Sequence, residues 1–210
     1  MITTTKSRAR GWRASVKRET APTREPIAWH EAGHALAFAL LDLGEIDLVS
    51  IVPGVRDGYA NEGSMRPRYY SVDVFAPTAK AGRGRQATCS KNVRMLLAGR
   101  AAEELLTGQC HRDVIDVTTV PSRWSIDDFA VGDFSAVARY LSVANPDEDP
   151  TDDSPDGDHR RRSRILREYV AAVALLAKHR ATLQALAADL LAHGTISGAD
   201  VAATIAKASG

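Results

Sequence analysis

His30, Glu31 and His34 are the residues whose types and spacing can do chemistry. They stand in the run His30-Glu31-Ala32-Gly33-His34, inside an apolar stretch, residues 27–41, with no interior proline and no β-branched residue after Ile27. Such a stretch reads as a helix. Pro26 sits where a first helical residue is tolerated, because its missing N–H would be unpaired there anyway. Residues four apart share a helix face, so His30 and His34 can aim two imidazole nitrogens at one point. Glu31 lies about 100° round, beside that point. Two nitrogen ligands with a carboxylate able to take a proton from a water held there is the arrangement of a zinc hydrolase helix. The flanking Ile27, Ala28, Leu36, Phe38, Leu40 and Leu41 make the helix apolar nearly all round, hence buried. Two histidines and a glutamate are costly in such a place without a partner, and a metal ion is the partner these residue types suit.

A catalytic zinc takes three protein ligands and keeps one position open. The third must come from outside the helix. His111, His159, His179, His193, Glu103, Glu104, Asp127, Asp128 and Asp133 are candidates among which spacing does not choose. The segment 127–133 is attractive because a helix begins there after a polar loop. For Glu103 and Glu104, a surface charge pair on an apolar-faced helix is the plainer expectation.

The elements that must position these groups come from a chain of 210 residues, 44% hydrophobic and 25% charged, enough for one domain with a real core. A net charge of +1 argues against a polyanionic partner. Two cysteines, Cys89 and Cys110, without metal-site spacing suit a reducing cytoplasm. No apolar run reaches the 18 or so residues of a bilayer span, and the first twenty residues lack the apolar core of a signal peptide. Residues 1–25 are basic and poor in apolar groups, so they read as a disordered tail. Residues 26–210 read as the folded domain, interrupted by a mobile acidic loop at 145–158.

In order, the pattern predicts the histidine helix over residues 26–43, closed by Gly44. A strand over 46–52 ends at a Pro53-Gly54 turn, and one or two short strands lie within 58–75. Residues 79–85 read as loop. A second helix over 86–106 carries Val93, Leu96, Leu97, Ala101, Leu105 and Leu106 on its apolar side and ends at Gly108. Gly99 inside it costs about 1 kcal/mol against alanine, which implies close packing on another helix, with Gly33 as the opposite number. Further helices are expected over 133–143 and 159–191, the second with a break near His179. Ser197 and Asp200 form a capping box for a last helix. The fold class is therefore α+β, mostly α-helical: a helix bundle with a small sheet. No G-x-x-x-x-G-K-[ST] run exists, and Gly82-Arg83-Gly84 is too short for a phosphate cradle, so no ATPase module is expected.

The chain resembles the peptidase domain of FtsH-type zinc metalloproteases. His30-Glu31-Ala32-Gly33-His34-Ala35-Leu36 is similar to that family's zinc helix. Ala98-Gly99-Arg100-Ala101-Ala102-Glu103-Glu104-Leu105 is similar to a signature helix near its site. Gly132-Asp133-Phe134, with Val137 and Tyr140 behind it, resembles the segment carrying its aspartate ligand. The resemblance implies Asp133 as third ligand beside His30 and His34, zinc as cofactor and Glu31 as catalytic base. Glu103 and Glu104 become candidates to orient the histidines. It implies a metallopeptidase acting on flexible peptides or unfolded proteins, here without the family's ATPase domain and membrane anchor, so that neither ATP nor a membrane span is expected. No nucleic-acid partner is expected, and homo-oligomerisation is left open. The alternative is a zinc-retaining binding or regulatory module without catalysis. An intact Glu31 argues against it, because a purely structural zinc site needs no base.

Overall fold

A computed structural model describes residues 24–56, 59–61, 63–70, 83–109, 133–145 and 154–209. The expectations for the basic tail before Arg24, for Cys110, His111, Asp127 and Asp128, and for residues 146–153 of the acidic stretch lie outside the described residues.

The histidine helix α1 (Arg24–Leu40) is the central element. Its residues Ala28, Trp29, Ala32, Ala35, Leu36, Ala37 and Phe38 are buried, as an all-round apolar sequence demands. Pro26 is its third residue, still within the first turn, where N–H groups lack intrahelical partners. The helix stops three residues short of the expected end. Asp42, at φ 55°, turns the chain, and Leu43 N–H donates to Phe38 O at 3.2 Å. Gly44 does not close the helix. It opens strand β1 (Gly44–Ser50), and a Cβ there would lie 2.1 Å from Tyr69 O on strand β4 (Ser64–Tyr70), so close strand approach requires the glycine.

Sheet order is β4-β1-β5, all antiparallel, with β5 being Thr195–Ser197. Register shifts between Glu45 and Ile46 and between Ile46 and Leu48 break the two-residue period, so Ile46 and Val49 both face the core. A separate hairpin pairs β2 (Gly54–Arg56) with β3 (Tyr59–Asn61). Gly54, expected in a turn, begins a strand there. β5 was not expected: three residues carry too little pattern to read, and pairing with β1 alone makes them a strand.

Helix α2 (Arg83–Thr107) lies against α1 through small residues. A Cβ on Gly33 would meet Ala98 O at 2.5 Å and Ala102 Cβ at 2.7 Å. The close approach is as expected, but Gly33 opposes Ala98 and Ala102 rather than Gly99. Residues 83–85, read as loop, belong to α2, and Gly108 ends it with its N–H donating to Glu104 O at 2.8 Å. Helix α3 (Asp133–Ala144) packs Val137 and Ala138 on α2.

Helix α4 (Pro155–Lys178) starts four residues before His159, because Ser154 accepts from Gly157 N–H and Pro155 follows at the tolerated position. Residues 155–158 of the acidic stretch are thus helical. Ile165, Tyr169, Ala172 and Leu176 form its buried stripe. Arg94 of α2 holds the buried Glu168 of α4 with two bonds, 2.9 and 3.1 Å long. The expected break falls at His179, before α5 (Arg180–His193). After β5, helix α6 (Gly198–Ser209) opens on the expected capping box: Ser197 N–H donates to Asp200 Oδ2 at 3.0 Å, and Asp200 N–H to Ser197 Oγ at 3.2 Å. The fold is α+β and mostly helical. Among the described residues, no helix is long and apolar enough to cross a membrane.

Candidate metal centre

One turn of α1 separates His30 from His34, and their Nε2 atoms lie 2.9 Å apart. Asp133, the first residue of α3, brings Oδ2 to 3.2 Å from His30 Nε2 and 3.1 Å from His34 Nε2. Of the nine candidates for a third ligand, Asp133 is the one that converges with both histidines among the described residues. Glu103 and Glu104 have other partners, given below. His193 Nδ1 bonds Asp189 O at 3.0 Å, and His179 sits at the α4–α5 junction.

The far side of each ring decides its proton. His34 Nδ1 faces the Met95 carbonyl at 2.9 Å, which can only accept, so Nδ1 carries the hydrogen. His30 Nδ1 faces Glu103 Oε1 at 2.6 Å, which leads to the same tautomer. In the neutral rings both Nε2 atoms therefore turn lone pairs toward Asp133 Oδ2. Three electron-rich atoms roughly 3 Å apart repel unless a cation lies among them. A tetrahedral ion bonded at about 2.0–2.2 Å sets its donors roughly 3.3 Å apart, near the separations found here. The donor set, two imidazoles and one carboxylate, fits zinc.

The electrostatics agree. Burial alone would depress His30, but the bonds and charges of Asp133 and Glu103 outweigh it and push its pKa up to about 10. His34 is likewise raised, burial being outweighed by Asp133. Burial works to raise Asp133, yet His34 and His30 hold its carboxyl far below the usual range. The pocket thus attracts positive charge to the point where the three donors meet. Asp133 also sits in the first turn of α3, where the helix dipole favours an anion.

Glu31 is buried, with its carboxyl under Gly63, the residue before β4. A Cβ at 63 would lie 2.7 Å from Oε1. Burial pushes the Glu31 pKa up, against the pull of His34 and His30.

Helix α2 supplies the supports. Met95, Gly99 and Glu103 follow at four-residue spacing on one face: a carbonyl for His34, a gap, and a carboxylate for His30. Arg100 donates to Glu103 Oε2 at 2.9 Å. Burial opposes the shift, but His30 and Arg100 lower the Glu103 pKa. Glu103 is therefore no surface charge. Glu104 accepts from the Tyr169 hydroxyl at 2.8 Å and ties α2 to α4. Sequence reasoning missed Met95, whose contribution is a backbone oxygen, and Gly63, whose contribution is a missing side chain. The repeat Met95, Gly99, Glu103 was the readable signal for the supporting face.

No family model matches the chain. Among characterised proteins it is similar to the ATP-dependent zinc metalloprotease FtsH of Opitutus terrae, 28% identical over 191 aligned residues covering 87% of this chain. The chain spans 28% of that protein's length. The relationship to FtsH is distant.

Proposed function

We propose that this chain is a zinc-dependent peptidase domain that hydrolyses peptide bonds in flexible peptides or unfolded proteins. The observation that carries the reading is the convergence of His30 Nε2, His34 Nε2 and Asp133 Oδ2 beside the buried carboxyl of Glu31. His30, His34 and Asp133 hold the metal, and Asp133 supplies the anionic donor. Bound zinc supplies Lewis acidity, which brings the pKa of a water toward about 7 and polarises a carbonyl. Met95 O and Glu103 keep both rings in the tautomer that leaves Nε2 free to bind. Glu31 takes the proton of the attacking water on a carboxylate oxygen and returns one to the leaving amine. Its raised pKa suits a base that must give the proton back. Among the described residues β4 is an edge strand that begins beside Glu31, and an extended segment is what such an edge accommodates. A folded substrate offers no such segment.

The test is a chelator-controlled peptidase assay on unfolded casein, without nucleotide, for wild type and Glu31→Gln, with zinc measured in both. Glu31→Gln is expected to keep about one zinc per chain and lose cleavage by roughly 10²-fold or more. Chelator-sensitive cleavage surviving the substitution refutes the assignment of the base. Zinc bound by a wild type that cleaves no unfolded substrate favours the metal-retaining binding module instead.

A further inference from the structure

Two glycines face the α1–α2 contact, and they do different things. The Cβ missing from Gly33 would strike the neighbouring backbone, with Ala98 O at 2.5 Å and Ala98 C at 3.1 Å, so Gly33 lets two helices approach. The Cβ missing from Gly99 would have imidazole atoms as its nearest neighbours: His30 Nε2 at 2.5 Å, His30 Cε1 at 2.6 Å and His34 Nε2 at 2.7 Å. Nothing in the backbone asks for glycine there. Position 99 is interior to a 25-residue helix, and the glycines with positive φ among the described residues are Gly44, Gly108 and Gly194. A helix-interior glycine without a backbone reason is disfavoured against alanine. What Gly99 does leave is the space in which two ring tips meet.

We infer that Gly99 is a positioning residue of the metal centre: its bare Cα is the floor on which His30 and His34 converge, between the Met95 carbonyl and the Glu103 carboxylate that hold the rings from behind. The inference rests on the metal reading of the site and adds a residue that donates no atom to it. A methyl group at 99 meets the far ends of two side chains, which can rotate away. The helix therefore survives the substitution, and the convergence does not. Metal affinity and fold stability should come apart at this one position.

The experiment compares wild type, Gly99→Ala and Gly84→Ala, all freed of metal and titrated with zinc against a competing chelator and with cobalt(II) by visible absorption. Gly84 lies on the same helix, and a Cβ there meets nothing within 4 Å. Wild type and Gly84→Ala are expected to bind alike. Gly99→Ala should keep its helical circular dichroism and a metal-free melting temperature at or above wild type. It should lose zinc affinity on the order of 10²-fold and lose the intense tetrahedral cobalt spectrum. Wild-type affinity in Gly99→Ala overturns the inference and leaves the metal reading standing. A wild type that binds neither ion removes the metal reading and the inference with it. If Gly99→Ala fails to fold, adding it to the His30→Ala/His34→Ala variant decides: folding as well as that reference puts the clash at the imidazoles as inferred, and unfolding relative to it overturns the inference.

Discussion

The corner where α1, α2 and α3 meet and the C-terminal lobe of α5, β5 and α6 are built by different rules. In the corner, polar groups are buried: Glu31 and His34 are about as enclosed as the alanines beside them. The histidine contacts there are made to specific partners, Glu103 on His30 and Met95 O on His34. In the C-terminal lobe the interior is Leu183, Leu186, Ala187, Leu190, Ile196 and Val201, and the capping box of Ser197 and Asp200 lies at the surface. Buried polar groups cost stability unless paired, whereas apolar burial asks only for volume and shape. The difference teaches where a substitution is felt: in the corner as lost chemistry, in the lobe as lost stability.

The largest effects should come from the donors. His34→Ala and Asp133→Asn should reduce zinc affinity by more than the ~10²-fold upper end for outer-shell partners, with Asp127→Asn and Asp128→Asn near wild type in the same chelator competition. Equal losses at all three aspartates would erase the special standing of Asp133.

One step out, Glu103→Gln keeps the size of the group that holds His30 but removes its charge. Zinc affinity should drop about 10- to 100-fold, with helical circular dichroism intact. An unchanged affinity would show that Met95 O and the packing orient the rings unaided.

The contrast inverts in the lobe. Leu186→Ala should cost about 2–5 kcal/mol in urea unfolding, while the folded variant binds zinc like wild type. A weakened site would mean the two regions are coupled. Smallest of all, Ser197→Ala should cost about 1 kcal/mol and leave metal binding untouched. A larger loss would show that the β5–α6 junction supports more than its own helix.

Local pattern carried much of this protein. The four-residue spacing of His30 and His34 places both rings on one helix face whatever the rest of the chain does, because helix geometry is local. The same holds for the break at His179, the cap at Gly108 and the reciprocal bonds of Ser197 and Asp200, all settled within a turn of chain. Element ends were less legible where another segment decided them. Gly44 looks like a helix stop, and it is a strand residue because β4 passes close against it. β5 exists because β1 offers it an edge.

At the site, the sequence by itself determined a pair of imidazoles and an adjacent carboxylate. Only the tertiary structure decided that Asp133 Oδ2 meets both Nε2 atoms across a separation of 99 to 103 residues. Only it showed that Glu103 bonds His30, that a main-chain oxygen of Met95 bonds His34, and that a Cβ at Gly63 would meet the Glu31 carboxyl and one at Gly99 the two imidazoles. The physical reason is common to all of these. A spacing rule describes groups on one helix, whereas donors from different helices, backbone acceptors and empty space take on meaning only once packing has brought their surroundings together.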